Sequence, residues 1–339
     1  MKVAVYYSNS DIRIEERPIP RIGKGEMLVK MRACGICGTD VMEWYRIKKA
    51  PRVLGHEMAG EVVEVGAGVE RFREGDRVFV SHHVPCYRCH YCEDGNYTAC
   101  ESLHTGNYEP GGFSEYIRVP RENVEFGTFL LPAGISCEDA VMVEPLACVF
   151  LAQKNLGLKK GQTVLIIGSG ISGLLQIRMA KLLGATVIAT DINKYRLNMA
   201  LEFGADHALH ASDYSAGRLK DLNQGRLAER VIVCAGAKQA VEAGLSSVDR
   251  RGRILFFAVP NDDIPLPSVR FWRDEITVAF SYGAAPDDLK KALDLIENGS
   301  VNVRKMITHK IHLSDIQQGF SLVSEGAESL KVAIVPDRQ

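Results

Sequence analysis

Thr163-Val164-Leu165-Ile166-Ile167-Gly168-Ser169-Gly170-Ile171-Ser172-Gly173 reads as an apolar strand running straight into a glycine-rich turn. A strand with no polar alternation is the kind that a parallel sheet buries on both faces. An apolar helix then runs to Leu183, and a second strand over 186–190 ends at Asp191, eighteen residues past Gly173. A bare G-x-G-x-x-G says little. A strand before it, a helix after it and an acid beyond are the setting in which it binds a dinucleotide. Gly168, Gly170 and Gly173 allow the turn and the close approach of a pyrophosphate. Ile171 and Ser172 open the helix whose dipole favours that anion. Asp191 is placed to bind the ribose 2′- and 3′-hydroxyls and to repel a 2′-phosphate, so NAD is expected over NADP. Arg196 weakens that preference slightly, and can equally contact the ribose or a phosphate of NAD.

Outward from this stretch the βα texture continues, with apolar strands over 231–234, 253–258 and 276–280 and a helix from Lys238. Strands ending at small or polar residues are where a doubly wound sheet places its ligand crevice. An amphipathic helix over 287–297 and a strand over 332–335 follow, and the strand is expected to return to an earlier domain. At 339 residues the chain exceeds one ordinary core, so two domains are the default.

Composition excludes several classes. Hydrophobic residues at 46% and charged residues at 24% describe an ordinary globular chain. A net charge of -1 leaves no electrostatic footprint for nucleic acid or an anionic membrane. No apolar run reaches spanning length, and residues 1–6 are too short and alternating for a signal peptide, so the cytoplasm is expected. Nine cysteines, an odd number, fit metal binding better than a disulfide framework.

The amino-terminal half supplies the metal ligands. Alternating strands over 2–6, 12–16 and 27–32 deliver the chain to Cys34-Gly35-Ile36-Cys37-Gly38-Thr39-Asp40. Cys37 reads as a zinc thiolate, with Thr39 placing a hydroxyl beside the reacting oxygen. Asp40 is expected to cap a helix over 41–44. Further on stands Gly55-His56-Glu57. Adjacent strand residues face opposite sides. Both can ligate only if the backbone is irregular, which Gly55 permits; otherwise one ligates and the other orients it. Ser136-Cys137-Glu138-Asp139 is expected to open an apolar helix carrying Glu144, a carboxylate that is costly to bury without a partner such as a metal. A catalytic zinc site needs about three protein ligands and one open position.

The least ambiguous metal signal is Cys86, Cys89, Cys92 and Cys100, spaced Cys-x2-Cys-x2-Cys-x7-Cys. Four thiolates fill a tetrahedral shell, which makes this a structural zinc without chemistry. A ferredoxin run differs in its last spacing and carries a proline after it. His82, His83 and His90 are read as solvated loop residues.

Taken together, Cys37-Gly38-Thr39-Asp40, Gly55-His56-Glu57, the four-cysteine lobe, Glu144-Pro145-Leu146 and the Gly168–Gly173 turn with Asp191 occur in an order that resembles the zinc-dependent medium-chain dehydrogenases, most closely their sorbitol and threonine dehydrogenase branch. The resemblance implies an α/β protein. Its mostly-β GroES-like catalytic domain comes from 1–148 and 281–339, with a zinc lobe at about 82–104. A Rossmann doubly wound parallel-sheet domain at 149–280 binds NAD. It implies a catalytic zinc on Cys37 and His56 with Glu57 or Glu144 as third ligand, and a homo-oligomer, tetrameric or dimeric. The implied reaction is NAD-linked oxidation of a secondary alcohol of polyol type to a ketone, with Thr39 accepting the alcohol proton. Threonine, or secondary alcohols broadly, are alternative substrates, and a non-catalytic NAD-binding zinc protein is an alternative of another class. Two positions depart from the family pattern: Met42 stands where a proton-relay histidine is usual, and Ser281 where polyol enzymes often carry arginine.

Overall fold

A computed structural model of the chain describes residues 1–337. It divides into two compact units, one made of Met1–Ala147 with the segment from Ala284 onward, the other of Cys148–Gly283.

The first unit is built on β-sheets. Its main sheet has the strand order Ile307–His312, Lys331–Val335, Met27–Gly35, Glu57–Val65, Arg77–Ser81, Thr128–Leu130, and Tyr116–Val119 also pairs with Met27–Gly35. The two carboxyl-terminal strands run parallel to each other, and Lys331–Val335 joins Met27–Gly35 antiparallel through Ala333 and Ile334. Thus the late strand sits directly beside the strand that leads to Cys37. Asp11–Glu16, Lys2–Ser8 and Arg52–Val53 form a smaller sheet. Val29, Met31, Met58, Val62, Val78 and Val80 bury the faces that their strands turn inward. Phe320, on the helix Ile316–Glu325, packs against both Tyr6 and Phe113 with ring centroids 6.0 Å apart.

The helix expected from Ser136 onward is two helices, Cys137–Ala140 and Val143–Leu156. Ser136 and Asp139 close the first with a reciprocal capping box. Pro145 explains the break. It has no N–H to donate to Val141 four residues back, and its ring would clash with that carbonyl, so it is tolerated only in a helix's first turn. Glu144 therefore lies in the first turn of the second helix.

The second unit holds six parallel strands in the order His207–His210, Thr186–Asp191, Thr163–Ile167, Ala228–Val233, Val248–Phe256, Thr277–Phe280. In chain order this is 3-2-1-4-5-6, the doubly wound arrangement whose switch point lies beside the first strand. All five residues of Thr163–Ile167 are buried. No helix of the described residues is long and apolar enough to cross a membrane.

Candidate metal centres and cofactor turn

Gly55 has φ +91°, and a Cβ there would come within 2.8 Å of the Phe113 nitrogen. Only glycine fits this bend, and it ends just before the strand that Glu57 opens. His56 is therefore outside the strand, and the alternation that would send His56 and Glu57 to opposite sides does not apply to them. The ligand atoms of Cys37, His56 and Glu57 all lie within 4.8 Å of one another. A thiolate, an imidazole and a carboxylate in that space suit zinc.

Asp40 does not cap the helix. The helix Glu43–Arg46 begins after Met42, and no side chain caps it. Asp40 is fully buried and instead accepts from the Cys37 amide (3.1 Å) and the Arg46 guanidinium (3.3 Å), while His56 Nδ1 stands 3.5 Å away. Burial opposes the Asp40 charge, but His56, Arg46 and the Cys37 amide together hold its carboxyl below the usual range. With Nδ1 turned to Asp40, the other ring nitrogen of His56 is left for an ion, a pattern that fixes tautomer and orientation in histidine metal sites.

Thr39 sits within this network. Its hydroxyl donates to Cys37 Sγ (3.4 Å) and accepts from Arg46 (3.0 Å), and Arg46 also donates to the Thr39 carbonyl (2.9 Å). One lone pair of the hydroxyl remains. Lys331 is a further member that motif reading did not supply. It is buried, and it donates to both carboxylate oxygens of Glu57 (2.7 and 2.6 Å) and to the Ile36 carbonyl (3.3 Å). Burial opposes its charge, and Glu57, together with Cys37 and Glu144, more than restores it, so its pKa is raised. Glu144 also bears electrostatically on Lys331 and on Tyr108. The available signal for Lys331 was a lysine opening an otherwise apolar strand, Lys331–Val335.

His82 and His83 are not solvated loop residues. Their rings lie 3.5 Å apart, His82 is 5.0 Å from the His56 ring, and His82 Nδ1 is buried without a partner. Burial pushes the His82 pKa well down and that of His83 to about 3. His90 is exposed.

The sulfurs of Cys86, Cys89, Cys92 and Cys100 form the second cluster, again within 4.8 Å of one another. Cys89 and Cys92 sulfurs are 3.6 Å apart, too far for a disulfide. The lobe's apolar core consists of little beyond Cys92, Cys100 and Leu103, with Cys86, Cys89 and Tyr97 against it. So small a core leaves an ion to hold the lobe together.

In the second unit, Gly173 packs its helix onto the preceding strand; a Cβ there would meet the Gly168 carbonyl at 2.0 Å. Asp191 is buried and accepts from the amides of Ser169 (2.6 Å) and Asn193 (2.8 Å), which ties the turn to the end of the second strand. The Arg196 guanidinium lies over Gly170, 3.8 Å from where a Cβ would stand, and its Nε is buried without a partner. Ile171 and Ser172 open the helix Ile171–Leu182 behind Gly170. The close-fitting glycines and the unpartnered Arg196 Nε suit a dinucleotide phosphate.

Comparison with known proteins bears on both units. Residues 23–126 match the family model "Alcohol dehydrogenase GroES-like domain", and residues 172–298 match "Zinc-binding dehydrogenase". Sorbitol dehydrogenase of Halalkalibacterium halodurans is 32% identical over 98% of both chains. The chain belongs to the zinc-dependent medium-chain dehydrogenases, of the sorbitol-dehydrogenase type. D-xylulose reductase A of Aspergillus oryzae is 32% identical, over 93% of this chain and 91% of that one. The crystal structure of 2R,3R-butanediol dehydrogenase from Bacillus subtilis superimposes with a TM-score of 0.87 at 29% identity, covering 99% of each chain. The medium-chain dehydrogenase thus combines a GroES-like domain with a Rossmann domain and uses zinc and NAD as cofactors.

Proposed function

We propose that this zinc- and NAD-dependent dehydrogenase oxidises a secondary alcohol of the polyol or sugar-alcohol type to a ketone, and that Cys37, His56 and Glu57 hold its catalytic zinc. The observation that carries the reading is the gathering of those three donors within 4.8 Å, with the Thr39 hydroxyl on Cys37. Proximity to both other donors favours Glu57 over Glu144 as third ligand. Lys331 occupies part of each Glu57 oxygen, and a carboxylate has lone pairs beyond those. Glu144 is then an acid close to the site rather than in it.

Bound there, zinc supplies Lewis acidity toward the alcohol oxygen, and NAD supplies the hydride acceptor. Thr39 would relay the alcohol proton: its hydroxyl oxygen accepts that proton on the remaining lone pair as its own proton leaves the Cys37 sulfur for a solvent acceptor. Arg46 fixes the hydroxyl in place. Asp40 orients His56, and Lys331 orients Glu57. Cys86, Cys89, Cys92 and Cys100 hold a structural zinc in the lobe at about 82–104. Gly168, Gly170, Ile171, Ser172 and Gly173 receive the NAD pyrophosphate, Asp191 its adenosine ribose, and Arg196 a phosphate oxygen. On this reading the first unit is the catalytic domain and the second the NAD domain.

We also propose a cytoplasmic homo-oligomer. Support for the compartment is that the nine cysteines are not joined in disulfides and that five of them gather in the two metal-ligand clusters. Support for self-association is the edge strand Thr277–Phe280, which exposes Phe280 (62%), and the helix Ser268–Arg273 just before it, which exposes Trp272 (83%) and Val269 (78%). A dimer or tetramer in light scattering would agree with this, and a monomer would refute it.

The decisive experiment is a zinc count paired with an NAD-versus-NADP turnover screen over neutral polyols, sugar-alcohol phosphates, threonine and simple secondary alcohols. Two zincs per chain and NAD-linked oxidation of a polyol are expected. One zinc and no turnover would refute the catalytic assignment.

A further inference from the structure

The chain leaves the main sheet at Ser81, builds the four-cysteine lobe and comes back at Gly112, and both ends of this excursion rest on the catalytic donors. On the way out, Ser81 is the registered partner of Glu57 in the antiparallel pairing of Arg77–Ser81 with Glu57–Val65. Buried Asn123 fastens this end by donating to the carbonyls of Ser81 (2.8 Å) and His82 (3.2 Å). Tyr87, next to Cys86, packs on Phe126 of the same helix, Arg121–Phe126, with ring centroids 4.7 Å apart. On the way back, the amides of Gly112 and Phe113 donate to the carbonyls of Gly55 and Leu54, each at 3.0 Å. A Cβ on Gly112 would come within 2.9 Å of the Gly55 carbonyl, so the two backbones are in direct contact. These contacts hold the Gly55 bend, and the bend sets where His56 points. One excursion therefore pins Glu57 with its outgoing end and the approach to His56 with its returning end. Little besides the sulfurs keeps those ends together. The Cys86 and Cys100 sulfurs lie within 4.8 Å of each other, and the apolar core around them is small. An ion joining them closes the loop, and without one both stems regain freedom.

We propose that the four-cysteine lobe is an allosteric metal site: an ion bound there raises the affinity of Cys37, His56 and Glu57 for theirs. This deepens the reading given above and rests on it for the identity of the catalytic ligands. Two states of the excursion carry the coupling. In one, the lobe is closed on its ion, and its stems hold Ser81 against Glu57 and Gly112 against Gly55. In the other, the lobe has no ion, and the same backbone contacts must be kept by stems that are free to part. The catalytic donors are gathered in the first state and must be gathered at a cost in the second. Coupling of this kind is reciprocal, so an ion on the catalytic donors tightens the lobe's hold on its own ion by the same factor.

The test reads metal affinity rather than turnover. Cobalt(II) reports the two sites separately, because four thiolates and a single thiolate give it different ligand fields. Competition against a chelator then gives its dissociation constant at the catalytic donors in wild type and Cys86→Ser, and at the lobe in wild type and Cys37→Ser. Wild type should hold the catalytic ion more tightly than Cys86→Ser by roughly 5–150-fold, the usual span of coupling between two sites. At saturating metal Cys86→Ser still fills its catalytic donors, so the difference shows only under competition. Cys37→Ser should weaken the lobe ion by the same factor, and it supplies the reading even if Cys86→Ser does not fold. Two glycines inserted after exposed Thr105 slacken the returning stem. They should lower catalytic affinity toward that of Cys86→Ser while the lobe still binds its ion. Equal catalytic affinities in wild type and Cys86→Ser overturn the proposal. So do equal lobe affinities in wild type and Cys37→Ser, or an insertion that leaves catalytic affinity at the wild-type level. Coupled ions in a protein that oxidises no alcohol would support the proposal and refute the proposed polyol oxidation instead. A wild type that binds the lobe ion alone would refute both.

Discussion

Both carboxylate oxygens of Glu57 accept from the ammonium of Lys331, a residue 274 positions away in the chain, and both side chains are buried. In the zinc-free protein, Lys331→Met should leave a buried carboxylate without its counter-charge and destabilise the fold by about 3–5 kcal/mol. Chemical denaturation measures this. The double variant Glu57→Gln/Lys331→Met should regain part of that loss yet hold less catalytic zinc than wild type. A stable single variant with full zinc content would show that the pair is not what keeps Glu57 in place.

The two metal clusters should fail differently. Cys37→Ser is expected to lose one zinc and essentially all turnover while keeping a near-native thermal transition. Cys86→Ser should also lose one zinc, but with a marked fall in melting temperature or in recovery of folded protein, because the lobe's own core is so small. An active Cys37→Ser enzyme with two zincs would end the catalytic assignment.

Thr39→Val removes the hydroxyl and keeps the shape. General acid–base groups contribute roughly 10²–10⁴-fold, so turnover should fall by at least about a hundredfold with zinc content unchanged. Thr39→Ser should restore most of it. If Thr39→Val loses zinc as well, the hydroxyl's bond to Cys37 is serving the metal rather than the proton.

His83 gives the acid limb of stability a recognisable slope. Its pKa is pushed down to about 3, first by burial and then by the charges of His56, His104 and Arg46, against about 6.5 in the unfolded chain. Below about pH 6.5 the unfolded chain takes up a proton that the folded one refuses. The His83 contribution is therefore complete above that pH and drains away as pH falls toward 3. The loss approaches about 1.4 kcal/mol per pH unit, less whatever solvent reaches the ring. Urea unfolding at pH 7, 6 and 5 in excess zinc should show a steeper decline for wild type than for His83→Phe. Parallel curves would mean that the ring is solvated after all.

What could be read in the sequence was whatever the chain states within a few residues. The strand–glycine–helix texture of Thr163–Gly173 and the spacing of Cys86, Cys89, Cys92 and Cys100 are local, because backbone turns and tetrahedral shells impose local spacings. The Pro145 break is local as well, but the apolar run around it masks the end of one helix and the start of the next. Other relationships depend on closure of the whole sheet. Asp40 looked like a helix cap, the common use of that residue, until Arg46 and His56 came within reach of it. His82 and His83 looked like loop residues because nothing nearby in sequence announces that they pack toward His56. Lys331 could find its partner only through the pairing of Lys331–Val335 with Met27–Gly35.

That pairing also sets an order of events during translation. Glu57 leaves the ribosome early, and its counter-charge follows 274 positions later. In between, all of Cys148–Gly283 is synthesised and is free to fold as a unit of its own. The nascent amino-terminal part must meanwhile wait with an acid that lacks its lysine, so the Glu57–Lys331 pair, and the sheet pairing that brings it together, is completed late in the maturation of the chain. A message cut short before codon 331 would yield a nucleotide-binding unit able to fold, attached to a partner unit that cannot finish.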